Sequence, residues 1–168
     1  MTQPDNLQAL LDAHAITQLV ARYGRAVDWL DIPGMKACFA DAATVHFGEL
    51  SLAAHEFCDF WNNMGSACKA RHHLFGLPVI AMQSADTAVV DVPSLAACTR
   101  VDAGVRLRDF AECNRYVWHV ERTAEGWKIR DAQIFIVWSQ GAPTPTGIEA
   151  GMPLDHDVTM QHPAFVAL

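Results

Sequence analysis

The sequence predicts an α+β domain in which N-terminal helices pack on one face of a strongly curved antiparallel sheet. The first observation is a helical spacing of apolar residues between Leu7 and Val27. The second is a change after His73, where Val, Ile and aromatic residues alternate with polar ones. The third is the pair Glu125-Gly126, which is typical of a hairpin turn between the last two such segments.

The helical elements come first along the chain. Apolar residues three and four positions apart place one stripe on a helix over residues 7–27, formed by Leu7, Leu10, Leu11, Ile16, Leu19, Val20, Tyr23 and Val27. Asp31 is then interpreted as the N-cap of a short helix that has Pro33 at its first position and extends to Phe39. Residues 44–48 are typical of a short strand, and residues 54–68 return to helical spacing.

The second half of the domain is predicted to be a meander of four strands. These strands are expected at residues 73–82, 87–101, 110–122 and 127–139. The domain is therefore assigned to residues 1–140. The remaining segment, 141–168, begins with a turn-rich linker and is too apolar for a free tail, so we expect it to pack on the domain, across the cavity mouth, or on a neighbouring subunit.

Composition excludes several classes of partner. The 168 residues are 51% hydrophobic and 18% charged, as expected for one folded domain with a sizeable core. A net charge of −7 without a local Lys/Arg cluster argues against nucleic acid. No apolar run suits a membrane span or a signal peptide, and five scattered cysteines suggest reduced thiols. The expected location is the cytoplasm, with no membrane partner.

Asp28 and His73 are the candidate catalytic residues. If the fold brings them together, the carboxylate can fix the imidazole tautomer and raise its basicity, which makes a general base suited to neutral pH. Asp31 is the competing carboxylate, but its position before Pro33 favours a cap. His72 is adjacent to His73, so a regular strand would direct it to the opposite face, toward the surface or an interface.

Polar residues on the third predicted strand are candidates for substrate binding. Asn114, Tyr116 and Trp118 alternate on one face, and the first two could hydrogen-bond a substrate hydroxyl or carbonyl. Tyr23 on the first helix is a further cavity candidate. The alternative is that Tyr116 and Trp118 are core aromatics. Arg130 is expected to pair with surface carboxylates such as Asp131 or Glu112, although it could bind an anionic group.

No motif indicates a metal or a cofactor. The eight histidines show neither H-E-x-x-H nor a Cys/His finger spacing. The sequence also lacks a Gly-rich phosphate loop and a G-x-S-x-G elbow. We therefore expect no metal and cofactor-free chemistry.

Several stretches, in order, resemble the SnoaL-like branch of the nuclear transport factor 2-like superfamily, which includes scytalone dehydratase and hexachlorocyclohexane dehydrochlorinase. They are the opening helix at residues 16–31, Phe39-Ala40-Asp41-Ala42-Ala43, Arg71-His72-His73-Leu74 and the closing hairpin at residues 121–129. The resemblance implies a cone-shaped α+β barrel of the cystatin-like kind. It also implies that Asp28 orients His73, which then removes a proton from the substrate.

The sequence departs from this pattern at three places. Similarity to scytalone dehydratase would require a tyrosine at Val27 and a second catalytic histidine near Ala96-Ala97, and neither is present. The asparagine common in this branch four positions after the histidine is Leu77 here. A faithful scytalone dehydratase is therefore not expected.

The resemblance implies a cofactor-independent lyase, dehydratase-like or dehydrohalogenase-like, acting on a hydrophobic cyclic or aromatic small molecule. Two alternatives stay open. The same dyad could serve an isomerase or a polyketide cyclase, and the fold also hosts non-catalytic small-molecule binders and proteins like the small subunit of dioxygenases. The many apolar residues on a small sheet further predict a homo-oligomer, a dimer or a trimer.

Overall fold

The architecture consists of N-terminal helices followed by a long, strongly bent sheet. The computed structural model describes residues 3–48, 50–102 and 105–140. Within those ranges the elements are, in chain order, α1 (Gln3–Trp29), α2 (Ile32–Lys36), β1 (Phe39–Phe47), β2 (Leu50–Ala53), α3 (Ala54–Ser66), β3 (Cys68–Phe75), β4 (Val79–Met82), β5 (Thr87–Asp102), β6 (Val105–Thr123) and β7 (Gly126–Gln140). The predicted tail at residues 141–168 lies outside the described residues.

The strands form one curved, unclosed sheet in the order β2-β1-β7-β6-β5-β3, and β4 also pairs with β5. The predicted α+β class is confirmed. The expectation of a purely antiparallel sheet is wrong for one pair, because β1 and β7 run parallel. A parallel pair needs a long crossover between its strands, and here α3 and the meander supply it.

The inner face of the sheet is the one covered by α1 and α3, and the core lies there. Ile16, Leu19 and Tyr23 on α1 are almost fully buried, together with Val90 and Trp118 on the sheet. The apolar stripe predicted for the start of this helix is wrong. Leu7, Leu10 and Leu11 are each more than half exposed, so the helix buries its stripe only from Ile16 onward.

The segment predicted as one strand over residues 73–82 is two strands. β3 begins earlier, at Cys68, and ends at Phe75, while β4 begins at Val79. Gly76-Leu77-Pro78 separates them, because proline has no N–H to donate to the sheet. Both strands pair with β5. Phe75 on β3 lies opposite Ser94 on β5, and Val79 on β4 lies opposite Asp91 on β5.

Local capping and turn signals agree with the structure. The Asp31 carboxylate accepts a hydrogen bond from the Gly34 amide at 3.0 Å, as an N-cap of α2 does. Ala124 and Glu125 form the turn between β6 and β7, and Gly126, the first residue of β7, has a φ of +104° that favours glycine. Among the described residues, no helix is both long and apolar enough to cross a membrane.

Candidate functional site

Two small neighbouring cavities open on the inner face of the sheet. Their volumes are about 60 and 40 Å³. Four residues line both of them: Phe47, Trp61, His73 and Glu112. One imidazole and one carboxyl group therefore lie beside two aromatic side chains in the wall common to both cavities, a setting in which proton transfer can be effective.

The structure brings Asp28 and His73 into direct contact. Asp28 lies in the last turn of α1, and His73 lies on β3. The ring Nδ1 of His73 is 2.7 Å from Asp28 Oδ1, and the His73 backbone amide donates to Asp28 Oδ2 at 3.1 Å. With Nδ1 bound to the carboxylate, Nε2 is the nitrogen left for a ligand.

Both side chains are largely buried, yet Asp28 stays in its charged form. Burial by itself would raise the pKa of the Asp28 carboxyl, but the hydrogen bonds from the His73 ring and amide, together with the electrostatic interaction with His73 and His72, lower it below its ordinary value. A carboxylate in this state holds the Nδ1–H tautomer and can stabilise the imidazolium.

Arg71 links α1, which carries Asp28, to β3, which carries His73. Its guanidinium donates to the Asp28 carbonyl at 3.1 and 3.3 Å, to the Gly65 carbonyl at 2.6 Å, and to the Cys68 carbonyl. The β3 backbone bulges just before it, where Ala70 adopts a φ of +50°. The bulge and the Arg71 hydrogen bonds together determine the position of His73 relative to Asp28. Arg71 is not among the site residues predicted from the sequence, although it is part of the Arg71-His72-His73 stretch.

His72 points away from both cavities, as a neighbouring strand residue should. Its side chain is 72% exposed and lines neither cavity. Its Nδ1 nevertheless lies 3.5 Å from Asp28 Oδ2, so it adds to the electrostatic environment of the carboxylate from outside.

Three of the four residues predicted to bind substrate line the smaller cavity. They are Tyr23, Asn114 and Tyr116. Burial raises the pKa of both tyrosines above the ordinary value, so the two phenols stay protonated at neutral pH. The Asn114 side chain is also buried, and its Oδ1 has no hydrogen-bond partner. Such an atom can accept a hydrogen bond from a ligand.

Trp118 lines neither cavity. It is fully buried, and its ring packs edge-on against Tyr23 and Tyr116 at centroid distances of 5.1 and 6.0 Å. It lies behind the two tyrosines, so it supports the wall of the cavity rather than forming its surface.

Glu112 is a cavity residue that the sequence analysis assigned to the surface. It lies on β6 in the same alternation as Asn114 and Tyr116, and it lines both cavities with His73. Burial raises the pKa of the Glu112 carboxyl, although a hydrogen bond from Asn114 and the nearby His73 oppose part of that rise. The alternation on β6 was the signal that could have identified it.

In the described part of the chain, no group of three or more His, Cys, Asp or Glu side chains is placed to hold a metal ion.

Comparison with known proteins identifies the family and the fold of this chain. The chain matches the SnoaL-like domain family over residues 8–133. No curated protein matches it significantly. A candidate scytalone dehydratase from Novosphingobium aromaticivorans has a similar structure, with a TM-score of 0.75, 16% identity, and coverage of 89% of this chain and 97% of its own.

Two further solved structures share the fold. The hexachlorocyclohexane dehydrochlorinase LinA-type3 from Novosphingobium barchaimii has a TM-score of 0.72 and 18% identity, covering 84% of this chain and 99% of its own. A nuclear transport factor 2-like protein from Salmonella enterica has a TM-score of 0.67 and 18% identity, covering 83% and 96%. At these identities the likeness concerns the fold. Because the family match spans most of the chain, this protein belongs to the SnoaL-like domain family.

Proposed function

We propose that this protein is a cofactor-independent lyase that eliminates water or halide from a small hydrophobic cyclic or aromatic molecule. The observation that carries the proposal is the 2.7 Å contact between His73 Nδ1 and Asp28 Oδ1, with His73 lining both cavities. The similarity in fold to a candidate scytalone dehydratase and to a dehydrochlorinase supports the same class of reaction.

In this mechanism His73 Nε2 removes a proton bound to carbon. Asp28 keeps the tautomer that exposes Nε2 and stabilises the imidazolium that forms. Tyr23 and Tyr116 are uncharged donors on the cavity wall, so they can hydrogen-bond a carbonyl oxygen on which negative charge develops. The apolar side chains of Phe47 and Trp61 exclude water from the reacting atoms.

The first test replaces the base. His73→Gln removes the proton acceptor while keeping a similar volume, and we expect it to lower kcat/KM about 10²–10⁴-fold. Substrates are first identified by ligand-induced thermal shifts with cyclic ketones, polyketides, steroids and chlorinated rings. Turnover is then followed by mass spectrometry, in which loss of water or halide identifies a lyase.

His72→Gln is the matched control, because it changes the adjacent, exposed histidine in the same way. It should leave kcat/KM within a few-fold of wild type. Unchanged turnover in His73→Gln would show that the base is misassigned. A product of the same mass as the substrate would instead identify an isomerase or a polyketide cyclase that uses the same dyad.

One observation favours a second candidate, a non-catalytic small-molecule binder. The cavities, at about 60 and 40 Å³, are smaller than the roughly 300–1,000 Å³ that pockets for drug-sized ligands occupy. A binder predicts thermal shifts with ligands but no chemical change in them. In that case His73→Gln would weaken binding without any product to measure.

A further inference from the structure

His73, Ala96 and Glu112 lie in one row across three neighbouring strands. In the sheet register His73 on β3 is opposite Ala96 on β5, and Ala96 is opposite Glu112 on β6. Directly opposed residues project from the same face of a sheet, and all three line the larger cavity. The spacing of two strands separates the His73 and Glu112 backbones by about 10 Å.

The small side chain of Ala96, at the middle of this row, leaves space between His73 and Glu112. Ala96 carries only a methyl group, so an opening remains between the imidazole and the carboxyl group. A larger side chain at this position would fill that opening. A small ring seated over Ala96 would therefore have His73 on one side and Glu112 on the other.

Glu112 is held where an uncharged carboxylic acid is favoured. The aromatic side chains of Trp61, Phe110 and Phe47 line the cavity with it. Burial raises the pKa of the Glu112 carboxyl, and the hydrogen bond from Asn114 and the nearby His73 oppose only part of that rise, so the carboxyl holds its proton more readily than an exposed glutamate does. The titratable groups near it are His73, Cys68, Cys98 and Tyr116, and Arg71 lines the same cavity.

We propose that Glu112 is the general acid that protonates the leaving group, so that the substrate is a cyclic β-hydroxy carbonyl compound and the leaving group is water. This inference rests on the proposed function, in which His73 is the base. It selects dehydration over dehydrohalogenation for a chemical reason. Hydroxide is a poor leaving group, and its departure is much faster when it is protonated and leaves as water, whereas halide leaves without a proton.

The step balances without any co-reactant. The C–H bond next to the carbonyl breaks, its proton moves to His73 Nε2, and its electron pair forms the new C=C bond. The C–O bond breaks as the Glu112 O–H proton passes to the departing oxygen, which leaves as water. The imidazolium then returns a proton to the Glu112 carboxylate through that water. Each transfer lowers the cost of the other, because His73 gains a positive charge as Glu112 gains a negative one.

Asn114 supports a hydroxyl-bearing substrate independently. Its Oδ1 is buried, has no hydrogen-bond partner and belongs to a side chain on the wall of the smaller cavity, beside Glu112. An acceptor in this position suits a substrate O–H donor. A halogen substituent has no hydrogen to donate to Asn114 Oδ1.

The first experiment measures the proton on Glu112 without any substrate. Infrared spectra are recorded in D₂O at pH 7 for the wild type, Glu112→Gln and Glu112→Asp, after thermal unfolding has confirmed that all three are folded. We expect a carboxylic-acid C=O band in the wild type that is absent in Glu112→Gln and present in Glu112→Asp. Superimposable wild-type and Glu112→Gln spectra in the acid region would overturn the inference.

The second experiment compares two leaving groups on the same cyclohexanone ring. 3-Hydroxycyclohexanone and 3-acetoxycyclohexanone give the same enone, followed by its absorbance, but acetate leaves without a proton. Glu112→Gln should lower the rate of dehydration about 10²–10⁴-fold and change acetate elimination by only a few-fold. Equal losses for both compounds, or no wild-type dehydration of this or larger cyclic β-hydroxy ketones, would overturn the inference.

His73→Gln separates this inference from the proposed function. It should lower elimination of both compounds, since both need the base. If His73→Gln leaves both rates unchanged, the proposed function fails. If His73→Gln lowers both rates while Glu112→Gln lowers neither, only the role of Glu112 fails.

Discussion

At the scale of single residues, the site shifts the pKa values of two carboxyl groups in opposite directions. Asp28 is bound by the ring and amide of one histidine, and its pKa is lowered. Glu112 lies opposite Ala96 in the wall of the larger cavity, and burial raises its pKa. One carboxyl is thereby suited to stabilise a cation and the other to hold a proton. Paired groups with opposed shifts are the usual sign of separate acid and base roles.

The opposite shifts predict opposite effects on stability as pH changes. Asp28 stabilises the folded state above its unfolded pKa of about 3.9, and that contribution is lost as pH falls through its lowered folded pKa. Glu112 stabilises the folded state below its unfolded pKa of about 4.3, and that contribution is lost as pH rises through its raised folded pKa. Urea unfolding at pH 3.5, 5 and 7 measures both effects.

Relative to wild type, Asp28→Asn should therefore be most destabilised at pH 7 and less so at pH 3.5. Glu112→Gln should become more stable relative to wild type as pH rises from 3.5 to 7. The two isosteric variants act as controls for each other, since each removes one carboxyl charge. A pH-independent stability difference in either variant would contradict the shift assigned to that residue.

At the scale of elements, the site depends on how closely α1 approaches β3. A Cβ added at Gly24 would lie 2.7 Å from Cδ2 of Phe75, closer than real side chains come. The Phe75 ring in turn stacks on His73 at 6.1 Å, with 16° between the planes. Gly24 therefore sets the distance between the helix that carries Asp28 and the strand that carries His73.

This contact predicts an unusual response to Gly24→Ala. In a helix interior, replacing glycine by alanine normally stabilises a protein by about 0.5–1 kcal/mol. Here we expect a loss of about 1–3 kcal/mol from overpacking, with lower activity as the Phe75 ring moves against His73. Urea unfolding of Gly24→Ala, Phe75→Leu and the double variant measures it. The double variant should lose less than the sum of the single losses, and a stabilised Gly24→Ala would contradict this account.

At the scale of the whole molecule, the outer face of the sheet carries an apolar row. Leu74 on β3 is opposite Leu95 on β5, Leu95 is opposite Cys113 on β6, and Cys113 is opposite Trp138 on β7. Leu74, Leu95 and Trp138 are each at least two-fifths exposed. A contiguous apolar row of this kind is typical of a surface covered by a partner, and we propose a second copy of this chain as that partner.

Light scattering after size-exclusion chromatography tests this expectation. The wild type should be a dimer or a trimer, and Leu74→Lys should dissociate it, because the substitution places a charge in the apolar row. Leu77→Lys is the matched control, since Leu77 is 86% exposed but lies between β3 and β4. A monomeric wild type, or equal dissociation by both variants, would contradict the prediction.

The sequence alone was enough for features that depend on neighbouring residues. Periodicity predicted α1 and α3, the residues before Pro33 predicted the cap at Asp31, and Glu125-Gly126 predicted the hairpin. The quoted motifs also predicted the family, which the match over residues 8–133 confirms. Each of these signals is a repeat along one segment or a set of short motifs in order, so it can be recognised without knowing the fold.

Only the tertiary structure could decide which distant residues share one row of the sheet. The register of β3, β5 and β6 brings His73, Ala96 and Glu112 to one face, and the fold joins Asp28 on α1 to His73 on β3. Strand register depends on pairing between residues far apart in sequence, and a slip of one residue would turn Glu112 outward. The sequence therefore determined the kinds of element and the candidate base, whereas the packing of those elements decided which acid faces it.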